Sequence, residues 1–396
     1  MNNIFINANV IDVINKKIIE NCCVYTKDGI ITEVTQSKPA ECPEGCAIVD
    51  LEGKYMLPGL FNAHAHLTSS SEAGMSKIGS YTPFERTLIA LNNAETLIKG
   101  GFTYVRDVGG HFNIAVELMN AVAKGKVKMA PDILASGNMI AMTGGCGAGK
   151  MAVEIDGADE ARKAARTQIK MGARNIKLMS TGGVMTPGTE PGAPQLTIEE
   201  LKAAIEEAHK FGIKTCTHAE STEGTWNALK AGIDCIEHGD GIDAEIAAYM
   251  AEHKIPLVGT ISTCDCILKN MTNPDEDIVR KSLECNEKNI VAWKTAHDAG
   301  VICGCGSDAG TEFTYFDESY IEITHMVDKY GVDPMEALKI ATINSAIICG
   351  VDKTLGSIEC GKKAHLAIFA ENPAEDIHAI AKCAMTVKNG EILWTE

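Results

Sequence analysis

No block of lysines and arginines occurs anywhere in the 396 residues, and the formal net charge is −17. That balance excludes a nucleic-acid partner, because a phosphate backbone needs a basic surface. No uninterrupted apolar run is long enough to cross a bilayer, and the opening residues Met1 to Asn7 contain no basic segment leading into an apolar one. Neither a membrane span nor a secretory leader is therefore expected. Cys-x-x-Cys is missing despite 15 cysteines, which removes a zinc ribbon and a thioredoxin-type redox site. The cysteines are scattered and several fall in strand-like runs, Cys216, Cys235, Cys303 and Cys305 among them; Cys42 and Cys46 flank a Pro-Glu-Gly turn and read as incidental loop thiols. A reducing, cytoplasmic setting with cysteine as a small buried apolar residue accounts for this usage.

What is present points to a large soluble α/β protein. Hydrophobic residues make up 45% of the chain and charged residues 22%, enough for an extensive core under an ordinary surface. Both ends are strand-only. Residues 1–57 hold short alternating runs separated by polar turns, and residues 355–396 hold two more, the second a hairpin turning at Asn389-Gly390. Neither end has strands enough to bury a face alone, so the termini are expected to meet in one small β-sandwich domain. Between them, residues 58–354 alternate strand and helix. Eight strand candidates stand at Phe61–His66, Thr103–Val108, Ile133–Ser136, Ile176–Met179, Thr215–His218, Cys235–His238, Pro256–Thr260 and Val301–Ser307. Thr82-Pro-Phe-Glu85 and Thr197-Ile-Glu-Glu200 are capping boxes, and Asp333-Pro-Met-Glu336 opens a late helix. Eight βα units in one run predict a (β/α)8 TIM barrel, in which chemistry sits at the C-terminal strand ends.

Those ends carry a pattern. His64 and His66 stand two residues apart on the first strand, so both imidazoles leave the same face, a metal-chelating arrangement. The fourth strand carries Lys177, the fifth ends in His218, the sixth in His238, and the eighth leads to Asp308. Singly, each of these is an ordinary structural residue. Four imidazoles, a carboxylate and a lysine at one barrel mouth are not.

With these residues in these positions the chain resembles the amidohydrolase superfamily over essentially its whole length. The stretches Ile176 to Gly188, Ile236 to Gly239 and Pro334 to Asn344 are most similar to the prolidase-type branch, which includes Xaa-Pro dipeptidases, Lys/Arg carboxypeptidases and ochratoxinase. The resemblance implies two divalent metal ions, zinc foremost, with manganese, iron or cobalt as alternatives. It assigns His64, His66 and Asp308 to one ion, His218 and His238 to the other, and Lys177 to both, as a lysine N-carboxylated by CO2. It also implies a small-molecule substrate and a homo-oligomer. An ammonium with a pKa near 10.4 cannot ligate a cation, and two cations beside it disfavour the charged form, so a carbamate is the form that fits.

Two such ions about 3.5–4 Å apart share a water and lower its pKa toward about 7. The expected activity is cleavage of the amide bond of an N-acyl amino acid or dipeptide by attack of a metal-bridging hydroxide, with Asp308 as the catalytic proton shuttle. The chain departs from the branch at three places. Cys146 stands where relatives usually carry a histidine after Thr-Gly-Gly. Tyr315 lies where another histidine often follows the aspartate. Lys363-Ala-His365-Leu replaces Lys-Ala-Asp-Leu, a change expected to stay within the small domain. Cys146, Tyr315 and His111 are the candidate substrate contacts. Seven acidic residues after strand ends, Glu190, Glu220, Glu223, Asp240, Asp265, Glu312 and Asp317, either select a cationic substrate or belong to a generally acidic surface. Ser262–Ile278 is long and polar enough for a lid. Two rival functions are a cyclic-amide hydrolase similar to imidazolonepropionase or dihydroorotase, and a non-catalytic scaffold, which would be expected to have lost metal ligands.

Overall fold

The computed structural model describes residues 2–37, 45–72, 81–149, 151–273 and 275–396; Cys42 lies outside them. Five strands come first: β1 (Asn2–Asp12), β2 (Lys17–Lys27), β3 (Ile30–Thr35), β4 (Cys46–Asp50) and β5 (Tyr55–Pro58). The middle of the chain follows with β6 (Leu60–Ala65), β7 (Phe102–Asp107), β8 (Asp132–Ala135), β9 (Met139–Met142), β10 (Ala152–Ile155), β11 (Asn175–Met179), β12 (Lys214–Ala219), β13 (Ile236–His238), β14 (Leu257–Val258) and β15 (Cys303–Gly304). Three strands close the chain: β16 (Leu366–Phe369), β17 (Cys383–Lys388) and β18 (Glu391–Thr395).

The two ends do meet. An eight-stranded sheet runs β18-β17-β16-β5-β1-β2-β3, with β4 beside β1. Its junction is β16 antiparallel to β5, pairing Leu366 with Pro58 and Phe369 with Tyr55. Phe5, Val24, Met56, Leu366, Ile368 and Val387 share one buried apolar cluster, so strands from both termini contribute to a single core. β17 and β18 form the hairpin about Asn389, which takes φ +49°.

All eight expected middle strands occur, and every pairing among them is parallel. Their ladders form a three-stranded sheet, β6-β7-β8, and a seven-stranded sheet, β10-β9-β11-β12-β13-β14-β15, in place of one closed ring. At one seam the short β9, absent from the sequence expectation together with β10, pairs Ile140 with Leu178 of β11. A single backbone bond, Arg174 N to Ala135 O at 2.9 Å, spans β8 and the start of β11. At the other seam β15 is only two residues long. Added Cβ atoms at Gly304 and Gly306 would strike Ile348 at 2.5 Å and His64 at 2.6 Å, so close approach replaces regular pairing there. Ala63 N donates to Cys305 O at 2.7 Å and Asp308 N to His64 O at 2.9 Å.

Helices form where the capping signals stand. Thr82 Oγ1 accepts from Glu85 N at 3.2 Å while Glu85 Oε2 accepts from Thr82 N at 2.8 Å. The resulting helix, Pro83–Lys99, buries Ala90, Ala94, Leu97 and Ile98, a stripe at helical spacing. Thr197 and Glu200 repeat the box for Ile198–His209. Within Ser262–Ile278, long and polar enough for a lid, the described residues are largely helical. Thr263–Asn270 buries Thr263, Cys266 and Ile267, and Asp275 caps Glu276–Asp298 by accepting from Asp277 N at 3.0 Å. No helix among the described residues is long and apolar enough to cross a membrane.

The terminal sheet docks against the N-terminal end of β8. Asp132 receives Lys388 Nζ at 2.9 Å and Lys363 Nζ at 3.3 Å, with His365 Nε2 at 3.9 Å. His365 is therefore part of the contact with β8, a correction to its expected confinement, because its ring is buried between the sheet and that carboxylate. Burial pushes its imidazole down to about 4, against the opposing pull of Asp132. Between pH 4 and 6.5 the unfolded chain thus binds a proton that the native state refuses, and stability rises with pH across that window. His365→Gln is expected to remove about 2 kcal/mol of the stability lost between roughly pH 7 and pH 5. Urea unfolding of both proteins at the two pH values checks this, and equal losses would contradict it.

Candidate metal centre

The C-terminal ends of the middle strands converge on one buried pocket. His64, His66, Lys177, His218, His238 and Asp308 all line it, and none is more than 8% exposed. Within it, ligand atoms of His64, His66 and Asp308 lie within 4.8 Å of one another, as do those of His218, Glu220 and His238. Asp308 Oδ1 stands 3.2 Å from His66 Nε2 and 3.5 Å from His64 Nε2. The His218 and His238 ring centroids are 4.4 Å apart, and those of His64 and His238 are 4.9 Å apart. The structure thus brings together all six residues that the strand-end pattern singled out.

Each imidazole is held at its far nitrogen. His64 Nδ1 meets Glu237 Oε2 at 2.7 Å, His66 Nδ1 meets Gly109 O at 2.9 Å, and His238 Nδ1 meets Thr260 Oγ1 at 2.8 Å. His218 is the exception, with Nε2 on Gly182 O at 2.7 Å. Such outer contacts fix ring orientation and tautomer for ligation. Three of the supporting positions sit in the left-handed region: His238 at φ +65°, Thr260 at +44° and Asp308 at +55°. For a β-branched threonine this is an outlier, of the kind that persists where surrounding structure over-determines it.

Electrostatics favour neutral His64 and His238 beside an ionised Asp308. Burial, then the charge of Lys177, pulls His64 down to about 4; burial and the neighbouring imidazoles put His238 well below its usual value. Burial acts on Asp308 in the opposite sense, but His64, His66 and Lys177 outweigh it and hold the carboxyl at about 2. Three histidines held by their far nitrogens, a carboxylate and a lysine form a nitrogen and oxygen donor set suited to divalent transition ions. Lys177 is 1% exposed and makes no hydrogen bond or ion pair to a described residue. A bare ammonium so placed is unfavourable; a carbamate on it would turn a misplaced cation into two further oxygen donors.

The three expected substrate contacts separate. Cys146 lines the pocket; its thiol is pushed up to about 12 by burial and so stays protonated, a weak donor. His111 and Tyr315 are not among the lining residues. His111 sits beside Phe112, ring centroids 5.6 Å apart, and Tyr315 caps the short turn Phe316–Glu318. Sequence reasoning missed Glu237 and Arg106. Arg106 Nη2 donates to both Glu237 oxygens at 2.7 and 2.9 Å, and Arg106 Nε to Ala63 O at 2.6 Å. A glutamate directly before the His238 ligand position was the available signal, since a charge at the centre of a strand bundle requires a partner.

A model of the amidohydrolase family matches residues 55–393. The ochratoxinase of Aspergillus niger is 28% identical over 358 residues, covering 81% of this chain and 71% of that protein. Among solved structures, a prolidase complexed with N-methylphosphonate-L-proline superimposes with a TM-score of 0.92 at 28% identity, and a Xaa-Pro dipeptidase with bound methionine in its active site with 0.89 at 28%, both over the whole of each chain.

Glu237 and Arg106 are 0% and 2% exposed, and removing one partner of a buried pair leaves the other charge uncompensated. Glu237→Gln is expected to destabilise the protein by about 3 kcal/mol, read as a lower urea midpoint. A loss below about 1 kcal/mol would show that the pair behaves as an exposed one.

Proposed function

The chain belongs to the amidohydrolase family, and from that premise we propose that this hydrolase of carbon–nitrogen bonds is a binuclear, metal-dependent enzyme cleaving the amide of an N-acyl amino acid or a dipeptide. The observation that carries the proposal is the convergence of four imidazoles, Asp308 and a buried Lys177, without an ion-pair partner among the described residues, in a single pocket. Its relatives by structure, a prolidase and a Xaa-Pro dipeptidase, support the bond type. We read the parallel strands as a (β/α)8 barrel over residues 58–354, with individual backbone bonds spanning both seams, and residues 1–57 with 355–396 as a separate small domain.

In this reading His64, His66 and Asp308 would hold one divalent ion, zinc foremost, His218 and His238 would hold a second, and Lys177, N-carboxylated, would supply oxygen donors to both. When bound, the two cations supply an acidified water and polarise the scissile carbonyl. The protein's own residues do the rest. Glu237 fixes the His64 ring through Nδ1. Asp308, whose Oδ1 accepts from Thr311 Oγ1 at 2.9 Å, takes the proton of the attacking water and delivers it to the leaving nitrogen, which departs poorly as an anion. Met139, Met151, Met179 and Ile267 give the pocket an apolar wall, suited to an uncharged side chain and to excluding water. Cys146, at the wall beside Thr186, contributes packing more than polarisation.

Asp308→Asn is expected to keep most of its metal while turnover falls about 100-fold to 10,000-fold; full activity in that variant would remove the proton shuttle. Lys177→Ala is expected to lose metal, and elemental analysis still finding about two ions per chain would contradict the bridge. A screen of dipeptides and N-acyl amino acids that follows amine release tests the bond cleaved.

A further inference from the structure

Burial separates the seven acidic residues that follow strand ends. Glu190 pairs with Arg280 at 3.0 Å, and Asp265 with Lys329 and with His325 at 3.2 Å. Glu223 and Asp317 are exposed in first turns, and Glu312 lies outside the pocket lining. Glu220 and Asp240 alone among the seven are buried in the wall of the pocket. Their carboxylate oxygens lie within 4.8 Å of each other. Asp240 accepts from Asn289 Nδ2 at 2.7 Å. Glu220 is 8% exposed and its Oε2 has no hydrogen-bond partner. His218 Nε2 comes within 3.3 Å of that oxygen, but the ring nitrogen is directed at Gly182 O, 2.7 Å away. Among the described residues Lys177 is the one lysine or arginine in the lining, and it pairs with neither carboxylate. Two desolvated carboxylates facing each other repel, a cost that either a shared proton or an arriving cation relieves.

We propose that Glu220 and Asp240 form a subsite for a primary ammonium carried by the substrate beside its scissile carbonyl, so that dipeptides and aminoacyl amides with a free amino group are preferred over blocked N-acyl amino acids. The proposal rests on the amide-hydrolase reading above and narrows it. Proximity sets the position of the cation. Glu220 lies within 4.8 Å of ligand atoms of both His218 and His238, so the subsite borders the reacting carbonyl, where an α-amino group sits. The tip of a lysine or arginine side chain would have to fold back to reach it. An ammonium has three donors to offer, and the unpartnered Glu220 Oε2 with the Asp240 carboxylate supplies acceptors for them. The rest of the wall is apolar, so the side chain of such a substrate would contact methionines while its amino group met the acids.

The test compares Met-Ala with N-acetyl-Met-Ala on the metal-loaded wild-type enzyme, and measures L-methioninamide binding by calorimetry on the metal-free protein. The expected result is a kcat/KM about 100-fold or more higher for the free dipeptide. Glu220→Gln and, independently, Asp240→Asn should bring that ratio toward one and abolish methioninamide binding, with metal content unchanged in both. Equal hydrolysis of the free and blocked peptides by the wild type would overturn the subsite. So would loss of metal from Glu220→Gln, which would make Glu220 a ligand, or a third ion per chain displaced by Asp240→Asn. If no amide is cleaved at all, the hydrolase reading fails on its own, and methioninamide binding still decides the subsite.

Discussion

A carboxylate at the centre of the strand bundle sets the arrangement around it. Glu237 is fully buried, clamped by two bonds from Arg106 and by His64 Nδ1. Burial alone would protonate it, but the guanidinium and the imidazole hold it well below the usual carboxylate range. In a dry interior that charge stays only while its partners stay, so β6, β7 and β13 are tied at fixed spacing. The tie orients His64, and His64 with His66 sets where Asp308 must stand. Arg106 also donates to Ala63 O, on the strand that carries His64 and leads into His66. Through these contacts a single internal ion pair fixes the first ligand pair, and the remaining imidazoles are placed by strands packed directly beside it.

Catalytic groups and their supports divide by layer along the strands. Lys177 and Glu237 lie within β11 and β13, deep in the bundle, whereas His66, His238 and Asp308 stand at or past the last ladder residue. The backbone there leaves regular geometry, with positive φ at His238, Thr260 and Asp308, and the glycines at 306 and 310 let chains approach to distances a Cβ would forbid. Regular pairing supplies rigidity below, and its local failure above supplies reach. The same trade shows near Asp308, where an isolated parallel bridge pairs Ala65 with Ala309 while Asp308 itself lines the pocket.

Much of this was legible in the sequence because it depended on local periodicity or on chemistry too improbable to be incidental. The two-residue spacing of His64 and His66, both capping boxes and the Asn389-Gly390 hairpin all appear as expected, and each is specified by residues a few positions apart. What could not be read depended on partners distant along the chain. Arg106 and Glu237 meet across 131 positions, and nothing near either residue announces the other. The seven acids look alike in sequence, and only burial distinguishes Glu220 and Asp240 from the paired or exposed remainder. The stretch from Ser262 was legible only as polar, whereas the helix Thr263–Asn270 that brings Thr263, Cys264 and Ile267 to the pocket wall has no local signal of comparable strength. His111 and Tyr315 were placed by loops whose direction no periodicity encodes.

The junction of β5 with β16 joins segments about three hundred residues apart, and β1 to β4 lean on the same core. During synthesis on a ribosome β1 to β5 emerge long before β16 to β18 exist, so part of their apolar surface stays uncovered until those strands follow. The interior strands can assemble meanwhile from near neighbours. Completion of the terminal sheet therefore waits on β16 to β18, and β1 to β5 are the strands held open to misassociation until those arrive.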